Sequence, residues 1–267
     1  MMTADPPPTA LPYEEFVPPP SLRDHVACFW QSTAPDRPRQ TIILPDGCID
    51  LIWQSGREPF IAGPMTVPAA STTPPGTATL GVRFKPGAAA ALLGVSAADL
   101  RDATVPLQEN WPRARQHVAW KLARAASETP SLPHATDAVH AMLSEAIQAD
   151  RFVADACRWL AQHPREPAAA FIAGSGLSER QARRRFQEHV GYGPKTLQRI
   201  LRMQRVLWLL SRPNPPRSLA NLAQAAGYAD QAHLTREVRA LTGQLPTALV
   251  SGNPHSAVAE LFKTALA

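Results

Sequence analysis

Cysteine, clustered histidine and long apolar runs are all scarce in this 267-residue chain. Its three cysteines, Cys28, Cys48 and Cys157, stand far apart and form no CxxC pair. That spacing excludes a disulfide framework and a cysteine-based zinc site, and it suits a reducing cytosol. The histidines before residue 150 are His25, His117, His134 and His140, none paired at ligand spacing in a strand. Neither a metal nor another cofactor is therefore expected. No nucleophile–base pair stands out, so no catalytic residue is expected and the chain does not read as an enzyme. No stretch approaches the roughly 18 continuous apolar residues of a membrane span, and no basic-then-apolar leader opens the chain. The expectation is a soluble, cytoplasmic protein with no membrane partner.

Proline, by contrast, is plentiful at 28 residues. Pro6-Pro7-Pro8 and Pro18-Pro19-Pro20 mark residues 1–20 as an extended or disordered arm. Charge is unevenly placed. Residues 1–150 hold 11 Lys and Arg against 15 Asp and Glu, whereas residues 151–267 hold 16 against 7. A basic half joined to an acidic half suggests that one half meets a polyanion and the other has a different task. A solvated basic surface accounts for the imbalance equally well.

The first half reads as strands followed by helices. Ile42-Ile43-Leu44 and Cys48 to Trp53 are apolar runs rich in β-formers, separated by the turn Pro45-Asp46-Gly47. Phe60 to Pro64 and Leu80 to Phe84 continue the pattern, with a Pro- and Thr-rich loop from Val67 to Thr77 between them. Short strands with Gly/Pro punctuation predict a small barrel or sandwich. Ala88 to Leu93, a start at Ser96-Ala97-Ala98-Asp99, Trp111 to Ala126 and Ala135 to Ala149 read as helical.

From residue 151 the chain reads as all helical. Arg151 to Gln162 forms a helix that His163-Pro164-Arg165-Glu166-Pro167 ends. Ala168 to Ala173, the turn Gly174 to Leu177, then Ser178 as N-cap of a helix to about His189 make a helix-turn-helix. Arg180, Arg183, Arg184 and Arg185 fan around the second helix, while Ala182, Phe186 and Val190 point to a core. The plan recurs about fifty residues later. Ser218 caps a helix to Ala226, Gly227 turns the chain, and Asp230 caps a helix from Gln231 to Thr242. Pro194 to Ser211 lies between as one long helix, a strut of about 25 Å at 1.5 Å per residue. If continuous, it holds two reading helices near the ~34 Å spacing of successive major-groove turns.

These segments resemble the AraC/XylS family of transcription regulators. The likeness lies in Gly176-Leu-Ser-Glu-Arg-Gln-x-x-Arg-Arg-Phe186, in Gly191-Tyr-Gly-Pro-Lys195, and most diagnostically in Leu222-Ala223-x-x-Ala226-Gly227-Tyr228-x-Asp230-Gln231-x-His233-Leu234-x-Arg236 with Leu241-Thr242-Gly243-x-x-Pro246. Ala182 stands where the family usually has Leu, and Val238 where it usually has an aromatic, which trims core volume. The resemblance implies that Arg180, Gln181, Arg183 and Arg184 face one major groove, and Gln231, Ala232, His233 and Arg236 the next. Arg can bridge guanine O6 and N7, Gln can pair with adenine, and Ala packs on the thymine methyl. Arg185, Lys195, Arg199 and Arg202 are assigned to phosphates. Any one arginine could instead be a solvated charge, and His233 a packing residue.

The resemblance extends to the first half through Pro19-Pro20-x-Leu22, Cys28-Phe29-Trp30, Leu44 to Ile52, Gly81 to Ala88 and Val105-Pro106-Leu107. It implies a sensor-type domain, a small β-barrel with flanking helices that binds a small-molecule effector or mediates homodimerisation. Arg83 and Lys85 read as an anion-contacting pair or as an exposed strand edge; Asp46 and Asp50 as turn-formers; Cys48 as a small core residue. The expectation is an α+β chain: an arm (1–20), a barrel-like sensor or dimerisation domain with flanking helices (21–150), an all-α double helix-turn-helix domain (151–250) and a tail (251–267). Its partner is double-stranded DNA. A DNA repair or modifying enzyme that uses the helix-turn-helix domain for targeting is the alternative, and an adaptor for an acidic protein a third.

Overall fold

The computed structural model describes residues 13–107, 131–144 and 149–251. Its first part is strand-rich. Six antiparallel strands form one sheet: β1 (Glu14–Phe16), β2 (Val26–Thr33), β7 (Ala78–Phe84), β4 (Ile49–Gln54), β5 (Arg57–Ala62) and β8 (Thr104–Pro106), in that spatial order. β3 (Arg39–Ile43) and β6 (Ala69–Thr73) pair with each other as a second, two-stranded sheet. Strand alternation sorts the large sheet into two faces. Phe29, Ile49, Leu51, Ile61, Leu80, Val82 and Phe84 enter the main core with the helices α1 (Ala89–Leu93) and α2 (Leu132–Ser144). Cys28, Trp30, Cys48, Asp50, Ile52, Phe60 and Arg83 take the opposite face.

Several expectations change here. Among the described residues the strands do not close into a barrel: the six-stranded sheet keeps two edges and the β3–β6 ribbon pairs with neither. The segment Val67 to Thr77 is not all loop, because Ala69–Thr73 pairs in register from Ile43↔Ala69 to Arg39↔Thr73. Glu14–Phe16, within the expected arm, is held as an edge strand against Phe29 to Gln31. Ser96 starts no helix. Its hydroxyl accepts from Ala98 N, and Asp99 N and Arg101 N close three-residue turns onto Ser96 O and Ala98 O. The helix expected at Trp111 to Ala126, the end of that expected at Ala135 to Ala149, residues 1–12 and most of the tail lie outside the described residues.

The second part is helical: α3 (Arg151–Gln162), α4 (Ala168–Ala173), α5 (Glu179–Val190), α6 (Pro194–Leu210), α7 (Leu219–Ala226), α8 (Gln231–Thr242) and α9 (Pro246–Ser251). Caps set the starts. Asp150, Ser178, Ser218 and Asp230 each accept a backbone N–H three residues on, and Ser178 with Gln181 completes a capping box. Gly191, Gly227 and Gly243 end α5, α7 and α8 in the left-handed region. At Gly227 a Cβ would sit 2.8 Å from Pro164 backbone atoms, so a larger residue there meets both strain and a clash. α6 is one uninterrupted helix of 17 residues whose buried side serves two cores. Leu197, Ile200, Leu201 and Met203 join Val153, Leu160 and Phe186; Val206 joins Leu222, Tyr228, Leu234 and Val238.

The two parts meet over an extensive contact. Pro45 O accepts from Gln204 Nε2 of α6 at 2.6 Å, in a fully buried hydrogen bond. A Cβ on Gly47 would fall 2.9 Å from Leu197 Cδ1, and Leu44 packs within the α3–α5–α6 core. Ala97 N donates to Glu188 O at 2.7 Å, and Arg101 reaches Gly191 O at 3.4 Å. The C-terminal end of α5 therefore rests on the strand-rich part.

Candidate DNA-reading surface and cavity

α4–turn–α5 and α7–turn–α8 are two helix-turn-helix units that share α6 as a wall. On α5, Ala182, Phe186 and Val190 are buried, whereas Arg180, Gln181, Arg183 and Arg184 are exposed. The three arginines form no ion pair among the described residues. Gln181 has a second task, since its Oε1 accepts from both Ser178 N and Ser178 Oγ at 2.9 Å. On α8, Leu234, Val238 and Leu241 are buried and Gln231, Ala232 and Arg236 are exposed. His233 is half-buried: its Nδ1 lies 3.4 Å from Ala229 N and its ring meets Tyr228 edge-on at 5.3 Å. It packs the turn. Ala182 and Val238, the two departures from the family pattern, are both fully buried.

The residues expected on phosphates divide differently. Lys195 is exposed. Arg185 instead pairs with Asp150 at 3.4 Å and lies over the Phe152 ring at 5.9 Å. Arg199 is ion-paired with Glu237 of α8. Arg202 Nε donates to Pro164 O at 2.6 Å, and burial lowers its pKa below the usual arginine value. Arg205 Nε likewise donates to Ala225 O at 2.9 Å. Residues 199, 202 and 205 recur at helical spacing and fasten α6 to the second unit and to the chain before α4. Their partners lie 20 to 38 residues away in sequence, which is why Arg199 and Arg202 read as free charges there.

A cavity of about 350 Å³ opens between the two sheets. Trp30, Cys48, Asp50, Ile52, Phe60 and Arg83 are part of its lining from the large sheet. Gly81 makes room for the Trp30 indole, which lies 2.1–2.4 Å from where a Cβ would stand. Asp50 and Arg83 face each other across β4 and β7. Arg83 Nε donates to Asp50 Oδ1 at 3.1 Å and Nη2 to Oδ2 at 3.0 Å, a bidentate pair. Asp46 Oδ2 stands 3.4 Å and Glu15 Oε1 3.8 Å from the same guanidinium. Burial raises the Asp50 pKa and Arg83 opposes that rise. Burial alone would lower Arg83, but Asp50, Tyr13 and Asp46 hold it well above its usual value. Burial and then Asp46 push the Cys48 thiol up.

The expected anion-contacting pair is thus divided: Arg83 is buried against carboxylates, and Lys85 is exposed beyond the end of β7. Asp50, read as a turn-former, is the main partner of a buried charge. The signal for it was available. Asp50 alternates with Leu51 onto the face of Cys48 and Ile52, so a strand reading of Ile49 to Gln54 already places a carboxylate inside. Among the described residues no His/Cys/Asp/Glu group is arranged to hold a metal ion, and no helix is long and apolar enough to cross a membrane.

Comparison with known proteins agrees with this division. Residues 172–251 match a helix-turn-helix domain family (HTH_18), and residues 14–106 match a family described as a domain of unknown function (DUF6597). The C-terminal part of the chain is an AraC-type helix-turn-helix domain, and the protein is a DNA-binding transcription regulator. No curated protein matches the chain. Among solved structures, ToxT from Vibrio cholerae aligns with 10% identity and a TM-score of 0.46, over 84% of this chain and 99% of that one. ToxT from Vibrio cholerae O395 bound to (E)-4-(8-methylnaphthalen-1-yl)but-3-enoic acid aligns with 9% identity and a TM-score of 0.41, over 82% of this chain and 91% of that one.

Proposed function

We propose that the chain is a cytoplasmic, sequence-specific regulator that acts by binding rather than catalysis, and that its strand-rich part, from about residue 14, senses a small-molecule effector. α5 reads one major groove through Arg180, Arg183 and Arg184, while Gln181 shapes the helix start. α8 reads the next through Gln231, Ala232 and Arg236, and Lys195 meets phosphate. One observation carries the sensing: the loop Leu44 to Cys48 belongs to both sites. Asp46 and Cys48 line the cavity, while Pro45 O and Gly47 bear on Gln204 and Leu197 of the strut. A ligand that moves Asp46 therefore moves the seat of α6. The cavity favours effector binding over pure dimerisation as the task of this part.

The test is a titration of the full chain on selected and random duplexes across salt, with Ala62→Phe as a cavity-filling variant. Preference for selected duplexes and an altered affinity in Ala62→Phe are expected. Equal affinity for all duplexes would remove the specific-reader reading. Unchanged DNA affinity in a folded Ala62→Phe would remove the sensing.

A further inference from the structure

The cavity between the sheets is uneven in charge along its length. At one end a single guanidinium, Arg83, is met by three carboxylates, those of Asp50, Asp46 and Glu15. The other two arginines of the lining, Arg39 and Arg57, belong to the opposite end, where Arg39 pairs in register with Thr73 and Arg57 with Gln54. Asp50 and Gln54 are four residues apart on β4, about 13 Å at strand rise. Arg57 is exposed and stacks over the Phe60 ring at 4.1 Å, so it does not neutralise the acidic end. Two neutral donors satisfy part of that end without cancelling its charge: Tyr13 donates to Glu15 Oε1 at 2.8 Å, and Cys48 N donates to Asp46 Oδ1 at 2.8 Å.

Two features mark this end as a binding site rather than a closed ion cluster. It opens on a cavity of about 350 Å³, within the range of small-ligand sites of roughly 300–1,000 Å³. Trp30 is also 9% exposed, lines the cavity, and has a buried indole N–H that lies near Asp50 without a hydrogen bond of good geometry. A buried donor held in poor geometry is costly, and so is an excess of buried carboxylate. Tyr13 and Trp30, with ring centres 5.7 Å apart, add aromatic walls of the kind that attract cations.

Building on the sensing role proposed above, we infer that the cavity selects a small protonated amine with an apolar or aromatic body. Its ammonium group would donate to Asp50 and Asp46, and a hydroxyl or carbonyl oxygen next to it would accept from Trp30 Nε1. A carboxylate ligand is disfavoured, because Arg83 is already saturated with carboxylates. An ammonium competing for Asp46 would also pull on the loop that seats Gln204, which gives this ligand class a direct route to the DNA-reading part.

Three probes of one shape separate the head groups: 2-amino-1-phenylethanol, 1-phenyl-1,2-ethanediol and mandelate, which are cationic, neutral and anionic. Each is titrated calorimetrically into the full-length protein, and DNA affinity is measured separately with and without it. The amine is expected to bind at least about tenfold more tightly than the diol, with mandelate weakest. Asp50→Asn should abolish that preference. Asp46→Asn, at a more exposed position, serves if the first variant does not fold, and should reduce the preference. Equal or tighter binding of the diol or mandelate, no binding of the amine, or an unaltered preference in both variants overturns the ligand class. Binding of the amine without any change in DNA affinity leaves the ligand class standing and removes the sensing role. Binding of mandelate with a change in DNA affinity does the reverse.

Discussion

Replacing Arg83 with methionine isolates one electrostatic effect, since the apolar stem is roughly kept while the guanidinium is lost. Asp50 then faces Asp46 and Glu15 with no counter-charge between them. Removing one partner of a buried ion pair costs about 3–5 kcal/mol. The side chains of Asp50 and Glu15 are only 13% and 6% exposed, which places them within that regime. The 20% exposure of Asp46 on the cavity admits some screening, so the lower part of the range applies. A loss of about 3–4 kcal/mol corresponds to a fall in Tm of about 6–16 °C for a chain of this size.

The pH dependence identifies the cause. Asp50 already has a raised pKa in the intact protein through burial, and Arg83 is the main group restraining it. Without Arg83 it rises further. A carboxyl whose folded pKa exceeds its unfolded value, near 3.9, binds more protons folded than unfolded. Its favourable contribution is full below the unfolded value and is lost as pH rises through the folded one. The Arg83→Met variant should therefore lie nearest the parent protein at about pH 4.5 and furthest from it at about pH 8. Circular-dichroism melts across that range test this, together with Asp50→Asn and the double variant. The double variant should recover most of the loss, because an uncharged replacement of a buried pair is close to neutral. A pH-independent loss under about 1 kcal/mol, or a double variant as unstable as both singles summed, refutes the account.

Other outcomes follow from the helical part. Arg183→Ala should cost about 1–3 kcal/mol on a selected duplex and leave Tm unchanged, whereas Arg199→Ala should lower Tm as well as DNA affinity. If Arg199 is a brace, Glu237→Ala reproduces its effect; stronger DNA binding by Glu237→Ala would show instead that Arg199 is a phosphate contact held in check. Asp230→Ala removes the acceptor of His233 N and should cost about 1 kcal/mol, read in a melt; an unchanged Tm would refute the cap's contribution. All three cysteines are buried, and burial pushes Cys157 up to about 12 and raises Cys48. An aromatic disulfide reagent should therefore label the native protein slowly and the denatured protein at once, and rapid native labelling at any of the three would contradict that burial.

The helical half was nearly complete in the sequence because its determinants are local. A cap three residues from its donor, a glycine that must take positive φ and an apolar side at helical spacing can each be read within a dozen positions. The same locality explains what the sequence does not show there. Arg185, Arg199 and Arg202 look like free charges until Asp150, Glu237 and Pro164 O are brought beside them from 35 or more residues away. The strand-rich half reverses the balance. β2 and β7 are neighbours in the sheet and lie some fifty residues apart in sequence, and β6 is a run of Ala, Ser and Thr whose alternation carries little hydrophobic signal. Short strands punctuated by Gly and Pro describe an open sheet with a facing ribbon as well as they describe a barrel, because closure is a property of edges that composition does not record.

Pro45-Asp46-Gly47 shows where local reading stops short. Proline, Asp-Gly and a positive φ of 85° at Gly47 make the turn predictable, and its conformation alone would leave it a connector. Its two flanks give it consequence. One side chain enters the ion cluster on Arg83; one carbonyl holds a glutamine of the strut; and the glycine that follows packs against Leu197, whose Cδ1 would stand 2.9 Å from a Cβ placed there. A turn free on either side could move without effect. Held on both, it transmits: displacement of Asp46 by even a fraction of an ångström must be absorbed by the Pro45–Gln204 hydrogen bond or by the Leu197 contact, since close-packed interiors offer little slack. Under the proposed sensing role, the stretch of the strut from Leu197 to Gln204, which the turn touches, is the element that the cavity is best placed to bias.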